Sequence, residues 1–160
     1  MVDLEPAFPF SFVDEETVIG SDAYKTLDDD DPFASLNPIV FAVPAGYMVL
    51  SQAKSVMSRA SSGYPDINAF MFVYVNYVLE KKAQVLGFGT AEVQARISMV
   101  VRDRAGKMLL QRYEFATASE RIKFALGGVF DASKIRPLCE DATNNALENI
   151  SQWVQKELSK

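Results

Sequence analysis

The sequence predicts an α+β domain: a mostly antiparallel sheet of four to six strands with at least two helices packed on it, one of them a long C-terminal helix. Three observations support this prediction. Residues 92–99 alternate polar and apolar side chains, which is typical of a strand with one buried face. A turn at residues 103–107 joins them to a second alternating segment. Beyond residue 131 the apolar residues recur at helical spacing instead.

Residues 1–37 are predicted to form an irregular lead-in, and residues 38–160 a single α+β domain. The lead-in is acidic, and it contains three of the seven prolines and a run of four aspartates. Within it, the alternation of Phe8, Phe10 and Phe12 predicts a short edge strand, a position where the intervening proline is tolerated.

Two short apolar runs follow, at residues 39–43 and 47–50, and each predicts a short strand. Ser51 then caps a predicted helix that extends to about residue 60. The apolar side chains of this helix fall on one stripe, which consists of Ala53, Val56, Met57 and Ala60.

The strongest predicted strand spans residues 69–80. Its apolar residues occupy both faces and are interrupted only by Asn76, so we expect the segment from Phe70 to Leu79 to lie in the middle of the sheet, covered on both sides. The next two strands form a hairpin, and Gly106 in its turn is able to adopt a positive φ.

The final helix is predicted to begin at Asp131 or Ser133. It tolerates Pro137 in its first turn, where backbone N–H groups have no partner within the helix. One stripe of this helix is apolar and is expected to pack on the sheet: Leu138, Ala142, Ala146, Leu147, Ile150, Val154 and Leu158.

Composition limits the chemistry of the chain. It has 160 residues, no histidine and a single cysteine, Cys139. This excludes Ser-His-Asp and Cys-His catalysis, histidine-ligated zinc or haem, an internal disulfide and an iron–sulfur cluster. The net charge of −5 argues against nucleic acid as a partner, because phosphate binding needs a surplus of Lys and Arg on one face.

Two motifs resemble chemical sites but lack essential parts. The aspartate run at residues 28–31 has Pro32, Phe33 and Ile39 where an EF-hand loop needs an oxygen ligand, a glycine and a glutamate. Residues 51–54 match the S-x-x-K pattern of penicillin-recognising enzymes, but the companion motifs are missing. We therefore predict a protein without enzymatic activity, with no catalytic residue, no metal site and no cofactor.

Four residues are candidates for binding. Phe88 lies between two glycines, and we predict that it and Tyr64 are exposed aromatic anchors for a partner, the alternative being that Phe88 folds back into the core. Tyr74 and Asn76 are predicted ligand-binding residues at the floor of a pocket, the alternative for Asn76 being a hydrogen-bonded amide inside the core or facing a shallow polar layer. Cys139 is expected to be a buried, inert thiol.

The sequence contains no apolar run long enough to span a membrane and no signal peptide. Two histories fit this observation. The protein is cytosolic, or Met1 replaces a removed export signal and residues 2–9 are a tether beside it. In the second case a membrane contact would come through a lost N-terminal anchor.

The order of elements resembles that of small bacterial cell-envelope lipoproteins with a fold like the TolB amino-terminal domain or the CsgG-like periplasmic domain. The segments concerned are residues 46–51 opening a helix, residues 65–73 entering a strand, residues 101–110 with a D-x-x-G-K turn, and residues 142–147 in a terminal helix. The resemblance covers about residues 38–158. It implies a domain of the export compartment that binds other envelope proteins and performs no chemistry.

The predicted function is therefore a non-enzymatic binding or assembly module of the cell envelope, periplasmic or associated with the outer membrane, with envelope proteins as partners. A cytoplasmic location stays open. The alternative function is binding of a lipid or another hydrophobic small molecule, in a cavity between the sheet and the C-terminal helix. The six methionines and eleven phenylalanines suit such a ligand.

Overall fold

A computed structural model describes residue 8, residues 10–27, residue 52, residues 54–125 and residues 130–159. Within these residues three strands form one antiparallel sheet: β1 (Ala69–Val85), β2 (Phe88–Asp103) and β3 (Met108–Phe124). The helices are α1 (Glu15–Gly20), α2 (Asp22–Lys25), α3 (Lys54–Gly63) and α4 (Ile135–Leu158). The predicted α+β class, the antiparallel sheet and the long C-terminal helix are confirmed.

The strand order of the described sheet is β1-β2-β3, so β2 lies in the middle and β1 at an edge. The expectation that the segment from Phe70 to Leu79 is covered on both sides is wrong. Val75, Tyr77 and Leu79, which alternate along one face of β1, are each about two-fifths exposed. The middle strand of the described sheet is the one with the regular alternation.

The chain divides into two compact units. Unit 1 comprises the described residues within Met1–Ser11, Val73–Met99 and Gln111–Lys160, and unit 2 those within Phe12–Phe72 and Val100–Leu110. All three strands contribute residues to both units. The predicted strands at residues 39–43 and 47–50, and the predicted cap Ser51, lie outside the described residues.

The core of unit 1 lies between the sheet and α4. Alternate residues of β2, from Ala91 to Met99, are buried, and the small side chains of Ala91, Ala95 and Ala142 are completely buried. Small side chains allow the helix to approach the sheet closely. The cluster consists of Ala91, Val93, Ala95, Ala118, Ile122, Phe124, Leu138 and Ala142. The predicted stripe of α4 is buried except at Leu158.

The predicted cap Asp131 caps a 3-10 turn, and α4 itself begins at Ile135 with Lys134 as its N-cap. A single 3-10 turn at Ala132–Lys134 leads into it, and the Asp131 carboxylate accepts hydrogen bonds from the backbone N–H and the hydroxyl of Ser133 at 3.0 and 2.6 Å. These two bonds hold the pKa of Asp131 below its ordinary value. Among the described residues, no helix combines the length and the apolar character that a membrane crossing requires.

Side chains of α4 also bond to the backbone of β3, which is an edge strand within the described part of the sheet. Asp141 accepts a hydrogen bond from the backbone N–H of Ser119 at 2.6 Å, and Asn145 donates one to the backbone carbonyl of Thr117 at 3.0 Å. An edge strand presents unpaired backbone groups that invite pairing with another chain. Here the helix satisfies two of them.

In unit 2 two short helices occupy part of the predicted irregular lead-in. Asp14 caps α1 by accepting from the backbone N–H of Thr17 at 2.9 Å, and Ser21 caps α2 by accepting from that of Tyr24 at 3.1 Å. Such capping residues satisfy backbone donors at a helix start that have no partner within the helix. The prediction of an irregular segment is therefore wrong for residues 15–25.

The predicted edge strand at Phe8, Phe10 and Phe12 is also wrong, because none of these residues lies in a strand. The rings of Phe8 and Phe10 stack instead, with centroids 6.1 Å apart and planes 9° from parallel. In an extended strand, side chains two residues apart project from the same face. In this chain the backbone bends at Phe8 and at Phe10, and their rings stack.

Candidate functional site

The β1–β2 connection is a two-residue turn made by Leu86 and Gly87. Both residues have positive φ, 50° and 85°. Positive φ at both central positions is the geometry of the hairpin turn that best matches the twist of the flanking strands. The connection predicted at residues 87–89 is therefore a tight hairpin, which places β1 beside β2.

The hairpin ends in three large apolar side chains that face water. Val85 is 72% exposed, Leu86 89% and Phe88 55%. We call these three residues the apolar tip. The exposure of Phe88 contradicts the alternative in which it folds back into the core, and it leaves the ring available as an anchor.

Leu86 is an unfavourable residue for its position. A left-handed conformation costs a residue with a Cβ about 1–2 kcal/mol, and asparagine, aspartate and glycine are the usual choices in this turn. The leucine side chain regains nothing from burial, because it is almost fully exposed. A residue that strains the backbone and contributes no buried surface is expected at a functional position.

Basic residues surround the base of the apolar tip. Residues 81–91 contain Lys81 and Lys82 and no acidic residue, and residues 121–125 contain Arg121 and Lys123 and no acidic residue. We call these four residues the basic collar. The Lys81 ammonium lies over the Phe124 ring, 5.5 Å from its centroid. Phe130, which pairs with Phe124 in an isolated antiparallel bridge, is 39% exposed.

Acidic residues begin one position farther from the tip. Glu92 of β2 accepts from Arg121 of β3 at 2.6 Å and from Lys82 of β1 at 3.2 Å, so one carboxylate joins all three strands. The Arg121 and Lys82 hydrogen bonds hold the pKa of Glu92 below its ordinary value. Lys82 also donates to Glu80 at 2.8 Å, and these carboxylates raise the pKa of Lys82.

Unit 2 contains an open cleft of about 710 Å³ near the end of α3. Its two arginines are occupied by protein groups. Arg102 donates to the side chain of Gln52 and to the carbonyl of Gly106, both at 2.9 Å. Arg104 donates to the carbonyls of Ser61 and Pro65. These bonds fasten the turn to α3, and the cleft does not contain the predicted ligand-binding residues.

The predicted binding residues are not brought together. Tyr64 is half-buried, and its hydroxyl lies 2.7 Å from Ser21 Oγ, in a contact within unit 2. Tyr74 is half-buried, and Asn76 is exposed. The interpretation of Asn76 as an amide inside the core is therefore wrong, and the ligand-binding role of these two residues stays a prediction.

The groups that could carry chemistry are few. Cys139 is partly buried, and burial followed by the neighbouring Glu140 raises the pKa of its thiol. A thiol of that kind is protonated near neutral pH and is a poor nucleophile. Across residues 8–27, 54–125 and 130–159, as far as they are described, no three Cys, Asp or Glu side chains are arranged to hold a metal ion.

Comparison of the chain with protein-family models, with curated proteins and with solved structures found no match.

Reasoning from the sequence identified Phe88 in the apolar tip but missed Val85 and Leu86. The signal that could have found them is the segment V-L-G-F between two strand-like segments, in which a turn contains three large apolar residues and no polar one. Turns are usually built from polar residues, glycine and proline. An apolar turn is thus itself an indication of contact with something other than water.

Proposed function

We propose that the protein is a non-enzymatic binding module of the cell envelope that attaches to its target through the apolar tip. The observation that supports this most is the combination at Leu86 of a strained backbone with an 89% exposed side chain. Neither property stabilises the fold. Both are explained if the side chain becomes buried when a target is bound.

The rest of the hairpin suits a rigid support for such a tip. Strands β1 and β2 are 17 and 16 residues long, and behind the tip Glu92 joins all three strands. A rigid anchor loses little conformational freedom on binding, which favours affinity. The lack of histidine in the chain and the raised pKa of Cys139 favour a function without catalysis.

The proposed location is the periplasm or the outer membrane, and it derives from the resemblance to envelope lipoproteins. Fractionation of cells in which the natural gene carries a C-terminal tag tests it. Recovery of the tagged chain with the cytoplasmic fraction alone would contradict the proposed location and leave the binding role of the tip intact.

The alternative function, a hydrophobic ligand between the sheet and α4, has less support. The side chains that meet there include Ala91, Ala95 and Ala142, each with no exposed surface, and the helix packs directly against them. The exposed apolar residues lie outside this interior, at the hairpin end and on the strands, where Tyr113 and Phe115 of β3 are more than half exposed.

The binding role is tested by replacing Phe88 with alanine and measuring sedimentation of the purified chain with envelope vesicles from a Gram-negative bacterium. We expect Phe88→Ala to weaken binding about tenfold, because it removes most of a large apolar side chain. The thermal unfolding midpoint should change by no more than about 2 °C, since the ring is 55% exposed.

The matched control is Phe115→Ala. Phe115 lies on β3 and is 56% exposed, nearly the same as Phe88. It should bind envelope vesicles as the unmodified chain does. Equal losses in both variants would mean that general surface hydrophobicity causes the binding, and a large fall of the midpoint in Phe88→Ala would mean that this ring supports the fold. Either result contradicts the proposed site.

A further inference from the structure

We infer that the partner of the apolar tip is the surface of an anionic lipid bilayer, into which Val85, Leu86 and Phe88 insert while the basic collar contacts the lipid headgroups. This inference rests on the proposed function and names the class of its target. Three properties of the hairpin favour lipid over a protein partner: its size, the depth of its apolar region and its charge order.

The size of the tip is too small for an ordinary protein interface. Neighbouring strands lie about 5 Å apart, so a two-residue turn presents a narrow convex end. A stable protein complex buries about 800 Å² on each partner and needs a complementary surface. A fluid lipid phase imposes no such requirement, because lipid molecules rearrange around whatever inserts.

The depth of the apolar region also fits. Val85 and Phe88 flank the turn, so the apolar region extends only one residue back from Leu86 and Gly87 along each strand. At about 3.3 Å per residue this is a layer of roughly 5 Å or slightly more. Peripheral proteins bury their apolar faces about 5–10 Å into the boundary between headgroups and acyl chains.

The order of charges along the hairpin matches the layers of an anionic bilayer. The apolar tip comes first, the four cations of the basic collar come next, Glu92 lies at the level of the collar, and Glu80 and Glu120 follow along their strands. Three of these cations are engaged within the fold: Lys82 and Arg121 bond to Glu92, and the Lys81 ammonium lies over the Phe124 ring. A cation near an anionic surface contributes to binding until salt screens it.

A substitution at Leu86 can separate the effect on binding from the effect on folding. Asparagine is preferred in this turn, so Leu86→Asn should raise the unfolding midpoint by about 2–4 °C. The same substitution removes the most exposed apolar side chain of the tip and should lower vesicle binding about tenfold. A variant that is more stable and binds less cannot owe its lost binding to misfolding.

The experiment uses protein-free vesicles, one set of phosphatidylcholine alone and one of equal parts phosphatidylcholine and phosphatidylglycerol. Sedimentation is measured for the full chain, for Leu86→Asn, for Phe88→Thr and for the control Phe115→Thr. We expect the full chain and the control to bind the mixed vesicles, the two tip variants to bind them about tenfold less, and added salt to weaken binding to the mixed vesicles.

Insertion itself is measured with Phe88→Trp. The fluorescence emission of the introduced tryptophan should shift to shorter wavelength when mixed vesicles are added. Trp153 of α4, which lies under the Arg112 guanidinium, supplies a constant background. The double variant Lys81→Gln, Lys123→Gln should reduce binding to mixed vesicles and leave binding to phosphatidylcholine unchanged.

The results also distinguish this inference from the proposed function. Absence of binding to mixed vesicles, or equal binding by the tip variants, overturns the lipid inference. If Phe88→Ala still weakens binding to envelope vesicles in that case, and protease treatment of those vesicles abolishes binding, the target is an envelope protein and the proposed function stands. If the tip variants bind envelope vesicles normally as well, both fail.

Discussion

The β2–β3 turn and the β1–β2 turn reverse the chain in the same sheet, but they use opposite kinds of residue. In the β2–β3 turn the carboxylate of Asp103 accepts hydrogen bonds from the backbone N–H groups of Ala105 and Lys107, at 2.9 and 2.8 Å. The left-handed position is occupied by Gly106, with φ 83°. Each residue of this turn is one that stabilises such a turn.

The β1–β2 turn has a leucine at its first left-handed position, and its side chains are apolar and exposed from Val85 to Phe88. The β2–β3 turn has residues suited to its backbone, and the β1–β2 turn has a leucine where its backbone favours another residue. This contrast calls for a separate explanation of Leu86. This difference supports the proposal that the residues of the β2–β3 turn stabilise the fold, whereas those of the β1–β2 turn contact a target. Substitutions at the two turns should therefore have opposite effects on stability.

The largest effect is expected at Asp103. Asp103→Ala removes an acceptor that serves two backbone N–H groups, each bond contributing about 1 kcal/mol, so the free energy of unfolding should fall by about 2 kcal/mol. Urea unfolding followed by circular dichroism measures it. The exposed Asp66 of the same unit provides the control, since Asp66→Ala should change the value by less than about 0.5 kcal/mol. Equal losses would show that the turn is not held by its aspartate.

A smaller loss is expected at Gly106. A Cβ built at this position meets no atom within 4 Å, so the cost of Gly106→Ala is purely the left-handed backbone, about 1 kcal/mol. Gly20, at the end of α1, also has open space around it but does not have a positive φ. Gly20→Ala should therefore be neutral or stabilise by up to about 1 kcal/mol.

The two glycines are best compared in one set of unfolding curves. A destabilised Gly20→Ala together with an unchanged Gly106→Ala would contradict the assignment of strain to the positive φ. The same outcome would weaken the argument at Leu86, which depends on the cost of that conformation.

The contrast between the turns also explains which parts of the fold could be predicted from the sequence. The β2–β3 hairpin was predictable because Asp103 and Gly106 are conventional turn residues between alternating segments. Helix α4 was predictable because its apolar stripe is regular and is buried from Leu138 to Val154. In both cases local preference and tertiary packing favour the same structure.

The β1–β2 hairpin was not predictable by the same rules, because leucine does not signal a left-handed turn. The composition of β1 predicted cover on both faces, which the exposure of Val75, Tyr77 and Leu79 contradicts. The site was predicted only at Phe88, whose position between two glycines is unusual, although the apolar segment at residues 85–88 also marks its neighbours. The contribution of Leu86 depends on its φ and its exposure, and neither is written in the sequence.

The smallest effect concerns Glu92, which joins the three strands behind the apolar tip. Its pKa is lowered in the folded protein by Arg121 and then Lys82, so the folded state binds its proton less readily than the unfolded state does. This contribution to stability is complete above the pH at which an ordinary glutamate titrates, about 4.3, and is lost as the pH falls through the lowered pKa.

We therefore expect Glu92→Gln to be less stable than the unmodified chain at neutral pH and to approach it in stability as the pH falls below about 4. Unfolding midpoints measured at several pH values check this, with the exposed Glu120→Gln as control. If the unfolding midpoint of Glu92→Gln stays below that of the unmodified chain by the same amount at pH values well below 4, the Glu92 side chain stabilises the sheet by a route other than its charge.

Because Glu92 lies beside the apolar tip and Asp103 lies in the β2–β3 turn, substitutions at the two sites should also differ in their effects on vesicle binding. Glu92→Gln should strengthen binding to the mixed vesicles, because it removes a negative charge from beside Lys82 and Arg121. Asp103→Ala should lower stability and leave vesicle binding by the folded chain unchanged.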